Sequence, residues 1–128
     1  MKLLLDTCTF LWVVFEEEKL SAAVQEVFVD GQNEVFLSAA SVWEISVKHQ
    51  LGKLTLPAEP GDFVVAQRKA HGIEALAMDE EAALLVTKLP SVHKDPFDRM
   101  LVSQALSRGL TILTPDPLIK QYPVNTLW

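Results

Sequence analysis

The chain has 128 residues, a length that fits one domain, and we predict a single domain over residues 1–128. Hydrophobic residues make up 49% and charged residues 22%, which permits a packed core and excludes wholesale disorder. The formal net charge of -6 argues against a broad basic surface for nucleic acid, although a nucleic-acid enzyme needs only a local basic patch.

The N-terminal stretch MKLLLDTCTFLWVVF superficially resembles a signal peptide, with one basic residue before apolar ones. Asp6 interrupts the apolar run, no small-residue cleavage site follows directly, and the stretch is too short to span a bilayer. The single cysteine, Cys8, excludes an internal disulfide and is compatible with a reducing cytosol. We therefore expect a soluble, cytoplasmic protein that does not associate with a membrane.

Short apolar runs alternate with helical patterns along the chain. The first half predicts a strand at 2–6, a helix at 8–15, a helix from Ser21 to Gly31, a strand at 34–37 and a helix that Ser38 or Ser41 caps and that runs to about Gln50. The second half predicts a helix at 61–71, a strand at 74–77, a helix from Asp79 to Pro90, a helix from Asp95 to Gly109, a strand at 110–113, a helical turn at Asp116 and an edge strand at 123–127. Strands alternating with helices favour parallel pairing, so we predict a three-layer α/β/α sandwich around a mostly parallel, short-stranded sheet.

Four carboxylates stand out at or near the element boundaries: Asp6, Glu44, Asp98 and Asp116. Asp6 and Asp116 each follow a predicted strand, and parallel strands would bring them to the edge where open α/β sheets bind ligands. Clustered carboxylates repel one another unless a cation or protons neutralise them. Mg²⁺ and Mn²⁺ prefer oxygen ligands, so a hard divalent cation is the simplest solution.

Each acid also has a purely structural explanation. Asp6, Asp95 and Asp116 precede helical segments that they could cap, and Asp98 would favour a helix dipole. Glu44 is followed by Lys48 at a spacing that permits an ion pair on a helix.

Two patterns weigh against these structural explanations. Glu44 shares its predicted helical face with Ala40, Trp43, Val47 and Leu51, and Asp98 shares its face with Leu101, Val102 and Ala105. A carboxylate on an apolar face is costly unless it is paired or bound to metal. Helix capping therefore explains the position of each acid separately, but it does not explain why all the acids should face the same edge of the sheet.

Four segments carry a resemblance to a known family: LLLDTCTFLW, SAASVWEISVKHQLGKL, HKDPFDRMLVSQAL and LTILTPDPLIKQY. Together, in this order and spacing, they resemble PIN-domain proteins, and within that family the VapC-type toxin ribonucleases of bacterial toxin–antitoxin pairs. The resemblance implies catalytic, metal-binding acids at Asp6, Glu44, Asp98 and Asp116. Asp95 lies in the same segment as Asp98, but Asp98 directly precedes the apolar helical run, as the family's acid does.

The resemblance implies a metal-dependent endoribonuclease that leaves a 5′-phosphate and a 3′-hydroxyl. Mg²⁺ or Mn²⁺ held by the acids would activate water for attack on an RNA phosphodiester. The hydroxyls of Thr7, Ser38 and Thr114 could support the acids or simply stabilise turns. Basic residues that could contact phosphate, or merely lie on the solvated surface, are Lys48, Lys53, Lys94 and Arg99.

The resemblance also implies two protein partners, a cognate antitoxin and a second copy of the chain in a homodimer. The antitoxin would bind in an apolar groove formed by Phe10, Trp12 and Phe15, although core packing is the commoner role of such residues.

Two other classes compete with a toxin ribonuclease. The first is a catalytically inactive PIN-like module that binds RNA or protein, whose signature would be the loss of an acid; all four are retained. The second is another phosphate–metal domain, a receiver or a phosphatase. A receiver needs an acidic pair after the first strand, and the phosphatases that use an Asp nucleophile need a second Asp where this chain has Cys8. His49, His71 and His93 lack the spacing of a zinc motif.

Overall fold

The computed structural model describes residues 1–128 and contains a five-stranded sheet in which every pairing is parallel. The strands are β1 (Lys2–Leu5), β2 (Glu34–Ser38), β3 (Glu74–Leu76), β4 (Thr111–Leu113) and β5 (Thr126–Leu127), in the spatial order β3-β2-β1-β4-β5. The predicted α/β/α architecture with short parallel strands is therefore confirmed.

Six α-helices connect these strands: α1 (Thr7–Phe15), α2 (Ala22–Val29), α3 (Ala39–Gln50), α4 (Pro60–Ala70), α5 (Glu80–Leu85) and α6 (Pro96–Arg108). Five of them begin at a side chain that accepts a backbone N–H, namely Asp6, Ser21, Ser38, Asp79 and Asp95. Ser38, not Ser41, caps α3, because the Ser38 hydroxyl accepts from the N–H of Ala40.

Two predicted helical segments differ from the structure. The helix after Asp79 tightens into a 3₁₀ turn at Val86–Lys88, where two β-branched residues approach Pro90. The turn predicted at Asp116 forms later, at Ile119–Gln121, because the Asp116 carboxylate first accepts a hydrogen bond from the N–H of Leu118. None of the helices is long and apolar enough to cross a membrane.

The sheet is buried on both faces, as short apolar strands require. Along β1, Leu3 and Leu5 point into one apolar cluster and Leu4 into the other. The first cluster includes Phe10 of α1, Val24 of α2 and Phe63 of α4; the second includes Leu101 and Val102 of α6.

The central pair of strands creates the edge that matters for function. β1 lies between β2 and β4, and the strand order changes direction here. Leu5 is paired with Leu113, and the N–H of Asp6 donates to the carbonyl of Leu113 at 3.4 Å. The residues that leave β1 and β4 therefore emerge side by side, at the position where parallel α/β sheets form ligand sites.

Candidate active site

Asp6 is buried at the end of β1, with 4% of its surface exposed. One carboxylate oxygen caps α1 by accepting the N–H of Thr9 at 2.7 Å, and the other accepts the hydroxyl of Thr114 at 2.5 Å. Burial raises the pKa of Asp6, the hydrogen bonds from Thr114 and Thr9 partly oppose that shift, and the charge of Asp116 adds to it. Asp6 is thus both a helix cap and a buried carboxyl group whose charged form is disfavoured.

Thr114 links the two acids that follow the central strands. Its side chain donates to Asp6 and accepts the N–H of Asp116 at 3.0 Å. Asp116 itself is half-buried and accepts the N–H of Leu118 at 2.8 Å. The structure therefore brings Asp6 and Asp116 together around one buried hydroxyl, as parallel strands predict.

Glu44 reaches the same region from the middle of α3 and is 6% exposed. Its carboxylate accepts the Thr7 hydroxyl at 2.6 Å and pairs with the Lys48 ammonium at 2.5 Å. Hydrogen bonding to Glu44 is the main reason that the pKa of Lys48 is raised, so the ammonium stays charged beside the acids. The predicted Glu44–Lys48 pair is confirmed.

The predicted apolar face around Glu44 is partly wrong. Trp43 and Leu51 are 53% and 62% exposed, so they do not share its environment. The buried residues of α3 are Ala40, Ser41, Glu44 and Ile45. The helix is rotated from the predicted face because two small residues lie against the sheet while the indole points outward.

Asp98 lies in the first turn of α6, ahead of the buried Leu101, Val102 and Ala105, as predicted. Its carboxylate accepts a hydrogen bond from Nε2 of His93 at 3.1 Å. Burial raises the pKa of Asp98 to about 6; the His93 contact opposes this, and the charges of Asp95, Glu44 and Asp116 reinforce it. Acids outside α6, namely Glu44 on α3 and Asp116 after β4, therefore also raise the pKa of Asp98.

Thr114 links Asp6 to Asp116, and the charges of Glu44 and Asp116 raise the pKa of Asp98, but the four acids do not form a closed metal cage. No three His, Cys, Asp or Glu side chains converge tightly enough to hold an ion. The donors are nonetheless all oxygens, and burial disfavours the charged forms of Asp6 and Asp98. A hard divalent cation suits such a donor set, whereas zinc prefers nitrogen and sulfur.

The supporting hydroxyls divide into two groups. Thr7 and Thr114 each contact a predicted site acid. Ser38 does not, because its hydroxyl donates to Gln104 while it caps α3. Asp95 acts as the cap of α6 by accepting the N–H groups of Phe97 and Asp98, so its predicted capping role is confirmed.

Three residues near Asp98 have roles that the sequence did not reveal. His93 contacts both Asp98 and Tyr122, and Arg99 binds Tyr122 instead of pairing with the adjacent Asp98. The Arg99 guanidinium also donates to the carbonyls of Pro90 and Val86. Only the position of His93 within HKDPFD hinted at this cluster, since Tyr122 is 29 residues away from it.

A groove of about 400 Å³ adjoins Glu44. Its lining includes Thr7, Cys8, Leu11, Trp12, Phe15, Lys48 and Lys53. Phe10 was predicted to contribute to such a groove, but it is fully buried in the core. Phe10 and Val13 lie on the buried side of α1, whereas Trp12 and Phe15 line the groove.

The family model described as PIN domain matches residues 3–125. Ribonuclease VapC16 of Mycobacterium tuberculosis is 38% identical over 50 residues, an alignment that covers 39% of this chain and only 36% of that relative. The shared segment is therefore well under two thirds of the relative's length.

Solved structures share the fold over almost the whole chain. A VapBC2 structure from Rickettsia felis, bound to a DNA fragment from its promoter, superposes with a TM-score of 0.73 at 12% identity, covering 99% of this chain and 98% of that one. VapBC-1 of nontypeable Haemophilus influenzae superposes with a TM-score of 0.67 at 15% identity, covering 99% and 97%. At these identities the likeness concerns the fold.

Proposed function

Because this chain belongs to the PIN domain family, we propose that it is a metal-dependent endoribonuclease, the toxin of a type II toxin–antitoxin pair. The observation that supports this most is that Thr114 joins Asp6 and Asp116 at the ends of β1 and β4, while the charges of Glu44 and Asp116 raise the pKa of Asp98. The 50-residue similarity to a VapC ribonuclease supports the same activity.

Different residues of the chain would have different catalytic and metal-binding roles at this site. Asp6, Asp98 and Asp116 would bind a Mg²⁺ or Mn²⁺ ion directly or through bound water, since the three side chains do not converge tightly, and Glu44 would either join them or orient the attacking water. When bound, the ion supplies charge neutralisation and activation of water for phosphodiester hydrolysis. Thr114 and Thr7 fix the carboxylates of Asp6 and Glu44, so that these acids meet the substrate in a preset orientation.

The groove beside Glu44 offers positive charge for the RNA backbone. Lys48 and Lys53 line it, and the Lys48 side chain is 48% exposed while its ammonium pairs with Glu44. Lysine side chains at such positions contact phosphate without reading sequence. Lys94 is exposed near Asp98 and could extend this contact, whereas Arg99 is occupied by the carbonyls and the phenol that it holds.

Cleavage of single-stranded RNA by the purified, partner-free chain tests the proposal. We expect cleavage with Mg²⁺ or Mn²⁺, none with chelator, and none from folded Asp6→Asn or Asp98→Asn. Asp62→Asn, which neutralises an exposed acid on α4, is the matched control and should cleave normally. A folded wild type that binds RNA but never cuts it would make the chain an inactive PIN-like binding module instead.

An antitoxin is the protein partner that we propose for the groove. The solved VapBC neighbours include antitoxin chains, and the groove exposes Phe15 and Trp12 beside the acids. Phe15→Ser should weaken co-purification with the product of an adjacent small gene, while Val29→Ser, at an exposed apolar position outside the groove, should not. If both variants co-purify equally well with that partner, the groove is not part of the interface. Homodimerisation and a cytoplasmic location stay predictions.

A further inference from the structure

A chain of side-chain contacts runs from α6 through the C-terminal segment and back to Asp98. The Arg99 guanidinium lies 3.0 Å from the Tyr122 hydroxyl, which lies 2.8 Å from Nδ1 of His93. Nε2 of His93 lies 3.1 Å from the Asp98 carboxylate. Tyr122 is 3% exposed, and the side chains of His93 and Asp98 are 12% and 17% exposed.

Arg99 at one end of this series of contacts and Asp98 at the other determine which group donates each hydrogen bond. Arginine can only donate, so the Tyr122 oxygen accepts from Arg99, and the Tyr122 proton goes to Nδ1 of His93 at 2.8 Å in preference to the His93 carbonyl at 3.5 Å. A carboxylate can only accept, so His93 presents its Nε2 hydrogen to Asp98. Every donor therefore points toward Asp98, and the two ring nitrogens of His93 have different, fixed roles.

His93 is the only side chain that donates to the Asp98 carboxylate. Asp6 and Glu44, in contrast, each accept from two donors. Only one Asp98 oxygen is engaged, so the other is free to serve the acid site. Without His93, rotation about the side chain of Asp98 would be limited by packing alone.

We propose that His93, braced by Tyr122 and Arg99, is the positioning residue that fixes the Asp98 carboxylate for cation binding, an inference that rests on the proposed function. Groups that orient a metal-binding side chain through a hydrogen bond commonly change metal affinity by about 10–100-fold when removed. Tyr122 and Arg99 act one step further out, by holding the imidazole ring.

Three variants separate positioning from mere packing. Tyr122→Phe removes only the hydroxyl that braces His93. His93→Gln can still place an N–H near the former Nε2, whereas His93→Asn cannot reach Asp98. Ser103→Ala is the matched control, because it deletes another buried hydroxyl bond on α6 that does not involve Asp98.

Two readouts that do not require RNA cleavage test the inference. The first is Mn²⁺ affinity by electron paramagnetic resonance, which we expect to fall about tenfold or more in His93→Asn and less in His93→Gln and Tyr122→Phe. The second is the ¹⁵N spectrum of labelled histidine at about pH 8, where an ordinary imidazole is neutral. Wild type should show His93 as one fixed tautomer with the proton on Nε2, and Tyr122→Phe, in which only Asp98 still favours that tautomer, should show a partial shift toward the other one.

The outcomes distinguish this inference from the proposed function. Wild-type Mn²⁺ affinity in folded His93→Asn, or an unchanged histidine spectrum in Tyr122→Phe, would overturn the positioning role even if the chain cuts RNA. Conversely, the expected loss of Mn²⁺ affinity in a chain that cuts no RNA would support positioning and refute the ribonuclease. Ser103→Ala should match wild type in both readouts; a similar loss there would assign the effect to general loosening of α6.

Discussion

The Asp6 carboxylate accepts a hydrogen bond at 2.5 Å from the hydroxyl of Thr114, which lies 108 residues later in the chain. This contact joins the segment that leaves β1 to the one that leaves β4. The same hydroxyl accepts the backbone N–H of Asp116, so a single buried side chain holds the Asp6 carboxylate and the backbone of Asp116. Thr114 is fully buried, and water cannot readily replace it.

Thr114→Val should destabilise the protein. The substitution keeps the shape of the side chain but deprives the buried Asp6 carboxylate and the N–H of Asp116 of a partner, which costs about 1–3 kcal/mol for one unsatisfied buried group. Thr114→Ser, which retains the hydroxyl, should cost less. Urea unfolding in chelator measures both. If Val and Ser variants are equally stable, the hydroxyl is not what secures the two acids.

Asp6→Asn should make the metal-free protein more stable than wild type. Burial raises the pKa of Asp6, so its charged form is disfavoured in the fold at neutral pH, and an amide removes that charge. Mg²⁺ should then raise the melting temperature of wild type but hardly that of the variant. The control is Asp62→Asn, which should respond to Mg²⁺ like wild type. A variant that Mg²⁺ stabilises as strongly as wild type would remove Asp6 from the cation site.

The fold was predictable because its signals are local. Alternating short apolar runs and capped helices indicate parallel strands, and the boundary errors are small wherever a cap such as Asp95 marks the start. The helix after Asp79 was predicted to continue to Pro90, whereas the chain tightens into a 3₁₀ turn at Val86–Lys88 before that proline. Periodicity likewise could not decide which side of α3 faces the sheet, and so it placed Trp43 wrongly in an apolar face.

The candidate site was only partly predictable. The positions of Asp6 and Asp116 follow from the ends of parallel strands, and Asp98 follows from its place before a buried helical run. The contact between His93 and Tyr122 has no sequence period, because it depends on how the C-terminal segment folds back over α6. Arg99 was expected to pair locally or contact substrate, but its guanidinium donates to the carbonyls of Pro90 and Val86 instead.

The metal-free protein should lose stability as the pH rises from about 4 to about 6. The pKa of Asp98 is raised from its ordinary 3.8 to about 6, so in this window the folded chain holds a proton that the unfolded chain has released. The contribution is complete below 3.8 and is lost as the pH rises through 6. It amounts to at most about 3 kcal/mol, since one pKa unit corresponds to about 1.4 kcal/mol.

Urea unfolding across this range, with chelator, measures the slope. Asp98→Asn should reduce the dependence of the free energy of unfolding on pH. The dependence that remains should come from Asp6, whose pKa burial also raises. Asp79 does not interfere, because the hydrogen bonds of Ala82 and Arg108 lower its pKa, and its contribution is lost only below its ordinary 3.8. A wild type whose stability rises steadily over this window would contradict the burial of Asp98 as an acid.

Gly109→Ala should destabilise the protein by about 1 kcal/mol, because a side chain is strained in the left-handed conformation. Gly109 ends α6 at φ 68° and directs the chain into β4. An added methyl group would meet no atom within 4 Å, so the cost is conformational. Gly61→Ala is the control: Gly61 lies inside α4 at ordinary φ, and alanine should be neutral or stabilising there. Thermal unfolding compares them, and equal effects would contradict the argument.

Lys48→Met should destabilise the protein by about 1–2 kcal/mol, because it leaves a buried carboxylate without its cation. Glu44 is almost fully buried, whereas the Lys48 side chain is 48% exposed, so the effect should stay below that of a fully buried pair. In the double variant with Glu44→Gln, most of the loss should disappear, since no charge then remains to be compensated. The control is Lys19→Met, which breaks an exposed pair with Glu16 and should cost under about 0.5 kcal/mol. If the changes in the free energy of unfolding for Lys48→Met and Glu44→Gln simply add in the double variant, the contact between the two residues does not contribute to stability. Lys48 would then be available to contact RNA.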